Sequence, residues 1–91
     1  MSDNKISKTV IINNSLGIHA RPAGMIAKLA QTAKSEIWII KDGDRIDASS
    51  IIDILSLLCE QGTVLTLEID NKTDKKILND IMELIKQGFG E

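Results

Sequence analysis

The stretch Asn14 to Gly24, NSLGIHARPAG, holds the only histidine and the only proline of the chain. An imidazole titrates near neutrality, so His19 at pH 7 is mostly uncharged and carries one free ring nitrogen lone pair. That makes it a candidate nucleophile. Arg21, two residues on, supplies a permanent cation whose planar fork of N–H groups suits a phosphate. Pro22 marks a helix start, because proline is tolerated in the first turn, where its missing N–H has no intrahelical partner. His19 then sits near the N-cap. The first-turn amides of Ala20, Arg21, Ala23 and Gly24 would point outward beside it. Orphan amides and the helix dipole together favour an anion. This combination could let an imidazole accept a phosphoryl group and hold it. A single histidine at a helix start is also often a solvated surface residue, and spacing alone does not decide between the two.

The elements that must position this stretch follow from the patterning. Residues 5–12, KISKTVII, are rich in β-branched types and read as a strand. Asn13 to Ile18 is a loop. Ile26, Leu29, Ala30 and Ala33 recur at helical spacing, which predicts a helix from Ala20 to Ala33. Residues 36–41, EIWIIK, form a second strand. Asp42-Gly43 signals a hairpin into a short strand, Arg45 to Ala48. Ser50 opens a second helix to about Cys59, and Gly62 closes that region. Thr63 to Asp70 alternates as a half-buried strand. A third, amphipathic helix runs from Thr73 to about Gly88. The order β-α-β-β-α-β-α predicts one domain over residues 1–91, of α+β class. It is an open-faced two-layer sandwich with three helices on one face of a single sheet. Alternation does not settle which face Trp38 takes.

The second helix carries more apolar surface than one buried stripe needs. At about 100° per residue, Ile54, Leu57 and Leu58 make one arc, and Ile51, Ile52 and Leu55 make the adjoining one. Either the protein buries a wide helix face, or the second arc is a docking patch beginning at Ser50.

Composition narrows the function classes. The net charge of −2 argues against a nucleic-acid binder, which usually has a basic surplus. Trp38 and Phe89 are the only aromatics, too few for base-stacking platforms. One cysteine and one histidine cannot assemble a metal cluster, so neither metal nor cofactor is expected. Cys59 reads as a reduced core residue. The opening MSDNKISK has no apolar core and is not a signal peptide. No apolar run is long enough to span a bilayer. A cytoplasmic location is the expectation.

The stretch SLGIHARPA resembles the active-site signature of the HPr family, phosphocarriers of the bacterial phosphoenolpyruvate-dependent phosphotransferase system. KDGDRIDASSIIDILSL, QGTVLTLEI and the closing FGE are similar to the family's hairpin and second helix, fourth strand and final residues. The resemblance implies a four-stranded antiparallel sheet in the order 1-4-2-3. It implies that His19 takes a phosphoryl group on Nδ1 from enzyme I, as phosphohistidine, and passes it to an enzyme II A domain in sugar transport. On this reading the protein is a carrier and not an enzyme, and Arg21 holds the phosphate. Ala20, Gly24, Lys28, Ile51, Ile52 and Leu55 correspond to the partner interface. Ser50 is in register with the serine modified by HPr kinase/phosphorylase. That modification would make the protein a regulator acting by binding, with a transcriptional regulator among its partners. Ser50 and Asp53 also read as S-x-x-D, a variant capping box that explains the serine without a kinase. Asp53 and Gly24 depart from the family's usual residues, and Ser49 leaves the modified serine ambiguous. The patch would be used transiently, so a monomer is expected. A small-molecule-binding domain of ferredoxin-like type is disfavoured, because the sequence offers an exposed patch and no closed pocket.

Overall fold

The computed structural model describes residues 5–91; the first residues of the MSDNKISK segment lie outside that range. Four strands form one sheet: β1 (Ile6–Ile11), β2 (Ile37–Lys41), β3 (Asp44–Asp47) and β4 (Val64–Ile69). Their order is β1-β4-β2-β3, and every pairing is antiparallel. Three helices, α1 (Ala20–Ala30), α2 (Ile51–Ser56) and α3 (Lys75–Lys86), cover one face. The predicted class, element order and sheet order are those observed.

The strand period of two sorts the side chains between the faces. Val10, Ile37, Ile39, Leu65, Leu67 and Ile69 point under the helices and are buried. There they meet Ile26, Ile54, Leu78, Ile81 and Ile85, all fully buried, so the core is aliphatic apart from Phe89. Cys59 is buried in the same core as a free thiol. Burial pushes that thiol above its ordinary range, with Lys41 opposing.

Trp38 lies on the open face. It stacks under the Arg45 guanidinium at 4.2 Å and donates its indole N–H to Asp70. Glu68 departs from simple alternation. It is only 7% exposed although it faces away from the helices. Lys5 and Arg45 at 3.3 and 3.1 Å, and the Ser7 hydroxyl at 3.3 Å, enclose its carboxylate.

Two helices are shorter than the apolar spacing predicts. After Ala30 the chain tightens: Thr32 and Ala33 donate to carbonyls three residues back. The amides of Lys34 and Ser35 then turn to the buried carboxylate of Asp74 at 2.8 and 3.0 Å. Ala33 therefore keeps its place against the core without being helical. α2 stops at Ser56 and does not reach Cys59. Lys41 Nζ takes the carbonyls of Leu57 and Leu58 at 2.7 and 3.2 Å. Leu58 adopts a left-handed φ of 55°. It leaves the helical wheel and is 74% exposed, while Ile54 and Leu57 stay in the core. No helix among the described residues is long and apolar enough to cross a membrane.

Candidate functional site

The loop before α1 is held on both sides. The β1–β4 pairing continues one step past the strands, with Ile12 N donating to Thr63 O and Gly62 N to Ile12 O. Asn14 then closes a turn. Its carbonyl accepts from Gly17 N at 3.1 Å, and its side-chain amide donates to Gly17 O at 2.8 Å. Gly17 has φ +65°, and a Cβ there would lie 2.3 Å from the carbonyl oxygen of Cys59. That contact admits only glycine. It lets Ile18 N donate to the same Cys59 oxygen at 2.8 Å. The loop is thereby fixed on the segment that follows α2.

His19 is the N-cap of α1, with extended backbone and no side-chain capping bond. Its carbonyl accepts from Ala23 N at 3.0 Å. This corrects the expectation for the first-turn amides: Ala23 is spent inside the helix, and Gly24 lies further along the helical ladder. Among the described residues the amides of Ala20 and Arg21 have no acceptor, and they lie at the helix start, where the positive end of the dipole favours an anion.

The side chains of His19 and Arg21 converge on a group the sequence did not single out. After α3, residues Gly88–Gly90 form a tight left-handed turn in which all three residues have positive φ, closed by Gly90 N on Gln87 O and Glu91 N on Gly88 O. Phe89 is buried and anchors the turn. The turn presents the Phe89 carbonyl and the Glu91 side chain to α1. Glu91 Oε2 lies 2.5 Å from His19 Nε2 and 3.0 Å from Arg21 Nη2, and Oε1 accepts from Asn14 Nδ2 at 2.8 Å. Arg21 Nη2 also donates to Phe89 O at 2.9 Å, and Nη1 to Met25 Sδ at 3.2 Å. Asn13 Nδ2 caps the end of α3 at Lys86 O, 2.8 Å away. In the sequence, the loop that starts at Asn13 reads only as a turn, and the closing FGE only as a family resemblance; neither pairs Glu91 with His19.

The Asn14 hydrogen bond, followed by those of Arg21 and His19 and the proximity of the imidazole, lowers the Glu91 carboxyl from 4.5 to about 2, against a smaller opposing effect of desolvation. An ionised carboxylate only accepts, so the proton of its bond to His19 belongs to Nε2. In the neutral ring the lone pair is then on Nδ1. His19 makes no hydrogen bond through Nδ1 among the described residues. Its side chain is 39% exposed, within reach of a partner.

Of the other expected site residues, Gly24 and Ile51 meet where α1 and α2 approach, Ala20 is exposed in the first turn of α1, and Ile52 and Leu55 lie on α2. A Cβ built on Gly24 would sit 4.0 Å from Ile51 Cδ1. Ile52 is 78% and Ile51 43% exposed, and Leu55 is half-buried. α2 therefore divides its apolar residues as two arcs require, except that Leu58 joins the exposed side. Leu16, 70% exposed, adds apolar surface on the loop that carries His19. Lys28 stands apart: it is exposed in the last turn of α1, about 13 Å along the helix from His19 at 1.5 Å per residue. Ser50 is the N-cap of α2 and accepts from Asp53 N at 3.2 Å. The Ser49 hydroxyl instead donates to Asp47 at 2.7 Å.

A protein-family model described as the PTS HPr component phosphorylation site matches residues 6–87. The phosphocarrier protein HPr of Neisseria meningitidis serogroup A is 33% identical over 86 residues, which cover 94% of this chain and 97% of that protein. The HPr of Chlamydia pneumoniae is 36% identical, covering 96% of this chain and 81% of that protein. A solved structure of HPr-C-His from Thermoanaerobacter tengcongensis superposes with a TM-score of 0.85 at 35% identity, covering 94% of this chain and 97% of that one.

Proposed function

This chain belongs to the HPr family of phosphocarriers of the phosphotransferase system, and from that premise we propose that His19 accepts a phosphoryl group from phosphorylated enzyme I and passes it to an enzyme II A domain. One observation carries the reading: the Glu91 carboxylate that holds Arg21 also takes His19 Nε2, which leaves the Nδ1 lone pair free on a part-exposed ring at the start of α1. In the transfer the Nδ1 lone pair attacks phosphorus. The Nδ1–P bond forms as the donor's N–P bond breaks, and that bonding pair returns to the donor nitrogen. The Nε2 proton stays on the ring, so the ring gains positive charge as the phosphoryl group arrives. Arg21 and the Ala20 and Arg21 amides then face the added negative charge. The protein is a carrier, consumed and regenerated in the relay, and not a catalyst.

Docking requires a surface used by donor and acceptor in turn. Ile51 and Ile52, with Leu55, Ala20 and Gly24, give an apolar patch beside the nucleophile, and such patches mark interaction sites. Lys28 lies at the far end of α1, suited to an acidic rim of a partner. The protein acts as a cytoplasmic monomer in sugar transport, meeting each partner transiently.

A second reading, regulation through Ser50, is favoured by one observation: Ser50 immediately precedes the exposed Ile51 and Ile52. A phosphoryl group there would place a dianion at the edge of the docking patch, and the nearby Asp53 carboxylate would oppose it. HPr kinase/phosphorylase and a transcriptional regulator would be the partners of that branch.

The test is incubation with phosphoenolpyruvate and enzyme I, read by intact mass. The wild type should gain one phosphoryl group that mild acid removes, and His19→Ala should gain none. An acid-labile phosphoryl group on His19→Ala would sink the proposal.

A further inference from the structure

Lys41 closes β2, and its backbone pairs with Asp44 across the hairpin. The strand period of two puts its side chain on the same face as Ile37 and Ile39, under the helices. Its ammonium takes part in none of the ion pairs among the described residues. It is spent on backbone instead: Nζ donates to Leu57 O at 2.7 Å and to Leu58 O at 3.2 Å. Those carbonyls belong to the chain leaving α2, where Leu57 N and Leu58 N have just turned to acceptors three residues back. An ionised donor makes hydrogen bonds roughly twice as strong as a neutral one, so two successive carbonyls are clamped from one point.

The clamp holds a conformation that leucine disfavours. Leu58 has φ 55°, in the left-handed region, where its Cβ crowds the following carbonyl oxygen. Its side chain is 74% exposed and buries too little to keep the backbone there by packing. The next residue, Cys59, has its side chain fixed in the core, so what Lys41 sets is the turn of the backbone just before it. The Cys59 carbonyl accepts from Ile18 N at 2.8 Å, one residue before His19, and Gly17 lies against the same oxygen. One run of contacts therefore leads from the Lys41 ammonium, through Leu58 and Cys59, to the loop that presents the imidazole.

On the premise that His19 is the carrier nucleophile, the geometry points to Lys41 as a positioning residue for phosphoryl transfer: its ammonium keeps the left-handed turn at Leu58, so that the Cys59 carbonyl holds Ile18 and, with it, His19 in place. Lys41 makes no contact with the imidazole and has no part in forming or breaking the N–P bond. It acts on the transfer step through the loop, and not on docking. A glycine at position 58 would take the same turn without help, because it has no Cβ to crowd the carbonyl. The need for Lys41 is thus tied to Leu58, and removing both should cost less than removing Lys41 alone.

The experiment is a double-mutant cycle of Lys41→Met and Leu58→Gly. Methionine keeps most of the stem and removes the charge and its donors. Single-turnover transfer from phosphorylated enzyme I is followed by intact mass over a range of carrier concentrations, which separates the maximal rate from half-saturation. Lys41→Met should lower the maximal rate about tenfold, inside the roughly 100-fold that a misplacement of about 1 Å can cost, and leave half-saturation within about twofold. In the Leu58→Gly background the same substitution should lower it by less than about twofold. An unchanged maximal rate, a change in half-saturation alone, or the same loss in both backgrounds overturns the inference. Amide hydrogen exchange gives a second readout. In Lys41→Met the Ile18 amide should lose protection while the Ile12 amide, bonded to Thr63 O, keeps its own, and equal loss at both overturns the inference as general destabilisation. If Lys41→Met does not fold, the double variant is compared with Leu58→Gly: equal maximal rates support the inference and a tenfold gap overturns it. If the wild type takes up no acid-labile phosphoryl group, the carrier reading falls first and this inference with it. If the wild type is phosphorylated and only the maximal rate fails to respond to Lys41→Met, the carrier reading stands and the role of Lys41 is refuted.

Discussion

Gly17→Ala tests how His19 is positioned, and its cost can be worked from two separate contacts. The first is conformational: Gly17 has φ +65°, and an alanine held in the left-handed region costs about 1–2 kcal/mol. The second is steric. The new Cβ would stand 2.3 Å from Cys59 O and 3.0 Å from Glu60 Cα, both backbone atoms that no rotamer change can move. Overpacking of this kind costs about 1–3 kcal/mol, so the full effect should be about 2–5 kcal/mol. Gly62→Ala is the control. Gly62 also has positive φ, +91°, but nothing lies within 4 Å of its would-be Cβ, so only the conformational cost applies. Urea unfolding of both variants, with midpoints compared at equal slope, should find Gly17→Ala the less stable by about 1–3 kcal/mol. Relieving the clash must move the loop off the Cys59 carbonyl, weakening the Ile18 bond to it. Phosphoryl acceptance should therefore slow in Gly17→Ala and not in Gly62→Ala. Equal destabilisation by the two variants would refute the claim that close approach fixes this loop.

Three further outcomes are expected. Gly24→Ala should stabilise the protein by about 0.5–1 kcal/mol in the same unfolding assay, because α1 gains helix propensity and the methyl meets only ordinary contact with Ile51. Ser50→Ala should cost about 1 kcal/mol through loss of the cap on Asp53 N, and Ser50→Gly only a few tenths; no loss in Ser50→Ala would contradict the capping role. Glu91 gives a pH dependence of defined sign. Its carboxyl is lowered from 4.5 to about 2 on folding, so its contribution to stability is complete above about pH 4.5 and is lost as pH falls toward 2. The stability difference between wild type and Glu91→Gln should shrink across that window, and a difference independent of pH there would contradict the Asn14–Glu91 network.

Local patterning made the architecture legible because each element states its own period. The apolar alternation of β4 and the stripe of α3 need no knowledge of distant residues. Pro22 marked the start of α1 for a similarly local reason, and two apolar arcs on α2 marked a surface beyond what the core needs. The failures share a physical cause. α1 ends early because Asp74, 40 residues on, takes the amide of Lys34. α2 ends early because Lys41, 16 residues back, takes the carbonyl of Leu57. In both cases the apolar spacing continues past the helix end, so periodicity reads too far. The site shows the same limit. His19 and Arg21 stand out as candidates in the sequence, since their types and spacing are local. Their partner Glu91 lies 72 positions from His19 in the chain, and only the three positive-φ residues of the Gly88–Gly90 turn bring it there. Nothing in the local pattern around Glu91 carries that information.

The single imidazole of this chain makes its central claim directly observable. A ¹⁵N spectrum of histidine-labelled protein, recorded before and after phosphorylation by enzyme I and phosphoenolpyruvate, reports the two ring nitrogens of His19 alone. The unphosphorylated protein with its ring neutral should show a protonated Nε2 and a free Nδ1, and after transfer the phosphorus coupling should appear on Nδ1. Phosphorus coupling on Nε2, or a ring whose proton sits on Nδ1 before transfer, would contradict the account.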